Sequence, residues 1–124
     1  MAHIGKDMNV EVLRLNEAGQ ASGPFRQVGR VSIGALGSSP VSLVSTGAQL
    51  VVVYQDTADA LVAQLLDGDG SALGTPTPLP TCLISSTSPA RAAWGSGTVA
   101  VVFEAGYSGR ADTAVCVAQL RCQQ

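Results

Sequence analysis

Residues 40–54 read PVSLVSTGAQLVVVY, and residues 89–103 read PARAAWGSGTVAVVF. Laid over one another without a gap, Pro40 falls on Pro89, Leu50 on Val99, Val52 on Val101, Val53 on Val102 and Tyr54 on Phe103. A stretch that occurs twice constrains the fold more than any local propensity, because each copy must build the same unit and the units must share a core. Both copies end in an unbroken apolar run, Leu50 to Tyr54 and Val99 to Phe103. A strand with one face in water alternates apolar and polar residues, so runs apolar at every position predict strands covered on both faces.

Outward from this core a second strand repeats as well. Val62, Ala63, Gln64 and Leu65 return as Val117, Ala118, Gln119 and Leu120, with the spacing between copies grown from 49 to 55 residues. The six additional residues fall in the 104–112 loop. A partial copy opens the chain: Val12, Leu13, Arg14 and Leu15 occupy the place of VAQL, and NEAGQASG (16–23) resembles DGDGSALG (67–74). The expected division is a leader or tag without order at 1–7, then one repeat domain at 8–124, made of a partial repeat (8–37), repeat one (38–86) and repeat two (87–124).

A repeat of about 50 residues exceeds the ankyrin, tetratricopeptide and leucine-rich units, and the chain shows no helical i, i+3, i+4, i+7 apolar pattern. Gly, Pro, Ser and Thr interrupt it at short intervals, as in a protein of many short strands. Strands are expected at 9–15, 50–54, 60–66, 99–103 and 113–120, with a fourth strand of each unit at 25–33 and 78–84, where proline suits a sheet edge. Tight hairpins are expected at Ser45-Thr46-Gly47-Ala48 and Trp94-Gly95-Ser96-Gly97, and another turn at Asp67-Gly68-Asp69-Gly70. The fold class is therefore all-β and antiparallel, in propeller-like blades, with a two-sheet β-sandwich as the alternative.

Composition removes several function classes. The 124 residues are 46% hydrophobic and 13% charged, with a net charge of -2, which suits neither a disordered tail nor the basic stripe that nucleic acid requires. No apolar run approaches membrane-spanning length, and the N-terminus lacks the apolar core of a secretory signal. The single histidine, His3, sits in the expected leader, so a Ser-His-Asp or Cys-His arrangement has no base to work with. Paired carboxylates for glycoside hydrolysis would have to come from Asp56, Asp59, Asp67, Asp69, Glu104 and Asp112. Nearly all lie at expected turns, where Asp is favoured for its local hydrogen bonds. The run Asp67 to Ser71 has the alternating oxygens of half a calcium loop but lacks the downstream glutamate, and the hairpin reading prevails. The expectation is no enzyme, no cofactor and no metal.

Three cysteines, Cys82, Cys116 and Cys122, allow one internal bridge at most. Cys116 and Cys122, on one extended strand, would lie roughly 20 Å apart at about 3.3 Å per residue, beyond the ~7 Å reach of a disulfide. A bridge would join Cys82 to one of them, with Cys122 preferred because both lie near strand ends. The other reading is three reduced, buried thiols. The remaining candidates for ligand contact are Trp94 at a hairpin and Tyr107 with Arg110 in the inserted loop, since aromatic loop residues can stack on a sugar or anchor a protein. Against these, Trp94 is expected to pack inward between sheets.

The succession of Ser-Pro, an apolar strand with a terminal aromatic, VAQL, Asp-Gly-Asp-Gly and Leu-Gly resembles the β-propeller-type blade repeats of large secreted or surface proteins of bacteria, over nearly the whole chain from Met8. The resemblance implies a structural or recognition module at the cell surface or outside the cell. About two blades fall short of the four to eight that close a ring. Further copies of the chain, or other blades of a longer protein, are therefore the expected partners, with glycan as a ligand if the chain is a small ring-forming lectin.

Overall fold

The computed structural model describes residues 1–5, 7–31, 41–58, 60–79, 85–86, 90–106 and 113–121, of which 85–86, 104–106 and 113–114 by their backbone alone. Among these residues there is no helix. The chain forms strands β1 (Ala2–Ile4), β2 (Asn9–Val12), β3 (Arg26–Arg30), β4 (Ser42–Ser45), β5 (Leu50–Gln55), β6 (Leu61–Leu66), β7 (Ala72–Pro78), β8 (Ser85–Ser86), β9 (Arg91–Gly95), β10 (Thr98–Gly106) and β11 (Thr113–Arg121). They make three antiparallel sheets: β1-β2-β3, β4-β5-β6-β7, and a third in which β10 pairs β11 on one side and both β9 and β8 on the other.

The sheets stack in chain order, and the repeated apolar strand explains why. Along β5, Val52 and Tyr54 join Val10, Val12 and Val28 of the N-terminal sheet in one buried cluster. Val51 and Val53, on the opposite face, join Val99, Val101 and Phe103 of the C-terminal sheet in a second. Side chains alternate across a strand, so a run apolar at every position serves two cores at once. A fully buried valine contributes about 1.5–3 kcal/mol, and Val52, Val53, Val99 and Val101 are all completely buried. The two-sided burial expected of Leu50 to Tyr54 is what the structure shows, whereas Val99 to Phe103, expected to be covered in the same way, is buried on one face only, Val102 being 42% exposed on the other. A hydrogen bond from backbone to side chain reinforces the stack, the N–H of Ala92 in β9 donating to Oγ of Ser42 in β4 at 3.0 Å.

The same parity recurs in the second copy. Tyr54 and Phe103 hold corresponding places in β5 and β10, and each faces the sheet that precedes its own in the chain. Corresponding second strands do not behave alike. Val53 pairs with Ala63, so a repeat-faithful register would pair Val102 with Ala118; instead Ala118 pairs with Val101, and Val102 with Val117. A slip of one residue moves every side chain of a strand to its other face. Val62 is therefore buried against the N-terminal sheet while its counterpart Val117 is 60% exposed. Ala63 and Ala118 come to share the cluster between the middle and C-terminal sheets.

One expectation needs correction and another an addition. Residues 2–4, expected to lack order, form β1, with Ala2 opposite Val12 and Ile4 opposite Val10, because Ala2 and Ile4 complete the apolar face laid on the middle sheet. In repeat one a strand starts directly after the Asp-Gly turn as β7 (Ala72–Pro78), ahead of the fourth strand expected at 78–84, of which residues 80–84 lie outside the described residues. It is an edge strand, as its prolines anticipate.

Turn chemistry follows the sequence closely. Gly95 pairs with Thr98, leaving Ser96 (φ 51°) and Gly97 (φ 76°) as the two-residue turn with positive φ at both positions that suits the right-handed twist of a hairpin. Serine is a poor occupant of that left-handed position, whereas asparagine enters it readily. Ser96→Asn is expected to raise stability by about 0.5–1 kcal/mol, read as a shift in the urea midpoint with an unchanged slope.

Candidate functional site

Of the carboxylates weighed as catalytic pairs, Asp56 and Asp67 prove to be turn-formers. Asp67 Oδ1 accepts hydrogen bonds from the N–H groups of Asp69 and Ser71, both at 2.9 Å. Asp56 Oδ1 does the same for Ala58 and Ala60 at 2.9 and 3.0 Å, and Asn16 Oδ1 for Ala18 and Gln20 at 3.0 and 2.9 Å. One device thus closes three hairpins: a side-chain oxygen takes the N–H groups two and four residues on. An oxygen so engaged points at the backbone, away from any shared pocket.

Asp69 faces outward and pairs with Arg14 at 3.0 Å, both side chains about two-thirds exposed. Exposed pairs of this kind contribute little. Asp69→Ala is expected to change unfolding stability by less than about 0.5 kcal/mol, and calcium is expected to leave the melting temperature of the wild-type chain unmoved. Among the described residues no group of three or more His, Cys, Asp and Glu could hold a metal ion. His3 lies on the outer face of the N-terminal sheet, its Nε2 3.2 Å from Oε2 of Glu11 and its ring edge-on to Phe25 at 4.8 Å.

Cys116 is disulfide-bonded. In a chain of three cysteines its bond takes one of the other two, so the preferred Cys82–Cys122 pairing gives way to one that includes Cys116. Cys82 and Cys122 themselves lie outside the described residues, as do Asp59, Asp112, Tyr107 and Arg110; of Glu104 only the backbone is described.

Trp94 sits on β9 opposite Val99, yet it is 37% exposed and belongs to neither core. The inward packing expected of it is replaced by a place beside an open depression of about 460 Å³ that also touches Ser96, Thr98, Ala100 and Gln119. A second hollow, of about 380 Å³, lies between the middle and C-terminal sheets, walled by Leu65, Leu73 and Leu120 and rimmed by Thr75, Thr77 and Arg121. Its origin is topological. Strands β4, β5 and β6 each face a strand of the C-terminal sheet, but β7 overhangs β11 with no described strand opposite it.

Gln64, which nothing in its local sequence marks out, is 1% exposed. Its amide donates to the carbonyls of Leu65 (2.9 Å), Leu73 (3.1 Å) and Gly74 (3.4 Å). The ladder between β6 and β7 breaks there, Ala63 facing Thr77 and Leu65 facing Leu73, so that β7 carries extra residues that include Gly74 (φ 70°) and Pro76. Gln64 supplies the donor that the bulge lacks. Its repetition as Gln119 was the available signal.

The most conspicuous surface is the outer face of the C-terminal sheet. Val102 (42% exposed), Val115 (75%) and Val117 (60%) all point there, with Val102 directly opposite Val117. No known protein family, curated protein or solved structure matches the chain.

Proposed function

We propose that the chain is a non-catalytic module of propeller-type stacked blades, a structural or recognition element of an extracellular or cell-surface assembly that other sheets complete. The observation that carries this reading is the directional stack. Each repeat lays the face containing its terminal aromatic on the sheet before it, and the last described sheet leaves its other face, with Val102, Val115 and Val117, uncovered. In a repeat array, stability is roughly a sum of unit and neighbour terms, and an end without a polar face calls for another unit. The disulfide at Cys116 supports an oxidising compartment. The engaged carboxylates of Asp56 and Asp67 support a role without acid-base catalysis.

The test is to append a second copy of residues 87–124 to the C-terminus. The extended chain should melt at a higher temperature and bind less of a dye that reports exposed apolar surface. An unchanged melting temperature with more dye bound would overturn the stacking reading. Turnover of a glycoside or ester by the purified chain would overturn the non-catalytic part.

A second reading, a small carbohydrate-binding lectin that closes a ring by oligomerisation, draws support from the half-exposed Trp94 beside its depression, since an exposed indole is a platform for a sugar ring. It requires saturable binding on a glycan array that Trp94→Ala abolishes. An array without hits removes it.

A further inference from the structure

The two ends of the stack differ in chemistry, and the difference selects the occupant of the open end. At the N-terminal sheet the outward residues are mainly polar: His3 Nε2 meets Glu11 at 3.2 Å with the half-exposed ring of Phe25 edge-on to it, and the amide of Gln27 donates to Asn9 Oδ1 at 3.0 Å. At the C-terminal sheet, cross-strand rows place Arg91, Val102 and Val117 side by side, then Ala93, Ala100 and Gln119, then Thr98 beside Arg121. The centre of that face is valine and alanine, its borders are arginine and glutamine, and Glu104 holds the register position opposite Val115. An apolar centre within a polar rim is the anatomy of a protein interface.

The repeat says what kind of surface belongs there. Val51 and Val53 of the middle sheet, at the positions of Ala100 and Val102, are 4% and 0% exposed because a sister sheet covers them. A second copy can supply a sheet in two ways. Head-to-tail association would press the valines onto His3, Glu11, Asn9 and Gln27, stripping water from groups that gain no new partner, at a cost of about 1–3 kcal/mol for each one left unsatisfied. Face-to-face association about a two-fold axis sets apolar centre on apolar centre and leaves Arg91 and Arg121 at the margin. Only the second is self-complementary, which is the condition for an isologous dimer.

We infer that the outer face of the C-terminal sheet pairs with the same face of a second copy, giving a two-fold stack of six sheets with a polar N-terminal sheet at each end. This inference rests on the stacking reading above and names its partner. Strands β10 and β11, nine residues and about 30 Å each, and β9, five residues and about 17 Å, lie about 4.8 Å apart and present a face of roughly 370 Å², so two copies bury on the order of 700 Å². That is below the standard interface size and typical of transient association. The dimer should therefore appear and dissociate with concentration, and the head-to-tail ring of the lectin reading is disfavoured by the polar N-terminal face.

Sedimentation equilibrium from about ten to several hundred micromolar, a range set by the small interface, decides the matter. The mass of the wild-type chain should rise from 12.6 kDa toward twice that value and stop there. Val115→Asp and Val117→Lys, at sites already in water, should keep the wild-type circular dichroism and melting temperature measured at low concentration, while their mass stays at one chain. His3→Asp and Gln27→Lys on the opposite end should dimerise like wild type. Dimers in the Val115 and Val117 variants, or a monomer at every wild-type concentration, overturns the inference. Masses of three or more chains that His3→Asp disperses also overturn it, yet they leave the stacking reading standing; a Val117→Lys chain that fails to fold shows that the face is not free and overturns it too.

Discussion

Gln64→Glu is expected to be among the most damaging single substitutions in this chain, costing roughly 3–5 kcal/mol at pH 7, the range observed when a buried charge is left without a partner. The change is nearly isosteric, so packing does not account for the loss. The wild-type amide points its N–H groups at the carbonyl oxygens of Leu65, Leu73 and Gly74, and a carboxylate there would face three acceptors with no donor. The introduced acid would escape by holding its proton, which raises its folded-state pKa above the unfolded value of about 4.3. A group with a raised folded pKa stabilises below its unfolded pKa and loses that contribution as pH rises. Urea unfolding should therefore show a severe defect at pH 7 that shrinks as pH falls to about 4. Gln64→Leu, which carries no charge but leaves the carbonyls without donors, should cost about 1–3 kcal/mol with no such pH dependence. Gln119→Glu offers the internal control: the residue holds the same place in the repeat but is exposed, and its effect should stay within about 0.5 kcal/mol. Equal losses at Gln64 and Gln119 would refute this account.

That contrast marks how far the amino-acid sequence reaches. The two-sided burial of Leu50 to Tyr54 is legible because alternation across a strand is a local rule, but the equally unbroken run Val99 to Phe103 leaves Val102 in water, since whether a second sheet is there to cover it is not written in the run. The hairpins at Gly47 and Gly97, where φ is positive, are legible by a local rule too. The relative register of two strands is not local. Val62 and Val117 are the same residue in the same repeat position, and one is buried while the other lies in water, because the hairpin leading to β11 is six residues longer and seats the strand one residue out of step. Nothing in VAQL itself announces that. The surface that carries the dimer inference was therefore invisible in the repeat, which would have turned Val117 inward. Gln64 was hidden for a related reason: its role depends on a bulge in the partner strand β7. The short β1 escaped notice because three residues cannot show a period, and their place is set by the core they complete.

Gly29→Ala should have an effect of comparable weight through a different mechanism, overpacking at the join between the N-terminal and middle sheets. Gly29 stands opposite Val10 in β3, and a methyl group added there would overlap Oη and Cζ of Tyr54 and come within 2.9 Å of Cε2. Tyr54 is 3% exposed, and a planar ring held in a packed cluster has few ways to move aside. The expected loss is about 1–3 kcal/mol, the usual range for forcing extra volume into a filled core. Because the collision involves a single partner, it can be isolated. Tyr54→Leu alone should destabilise by opening a cavity, but Gly29→Ala added to it should cost little further, so the double variant should be well short of the sum of the singles, as coupled neighbours are. Simple additivity would show that the glycine is needed for its backbone and not for the ring. Tyr54→Phe should not rescue Gly29→Ala, since the ring carbons that obstruct the methyl remain. That variant does test a separate property: burial, and then the negative charge of Asp56, raise the Tyr54 pKa above its ordinary value of 10.0. The neutral phenol therefore supports the fold fully below pH 10, and that support is lost as pH rises beyond it. The wild-type chain should lose stability in alkaline solution more steeply than Tyr54→Phe does, and identical alkaline profiles would place the tyrosine hydroxyl in water and the ring out of contact with Gly29.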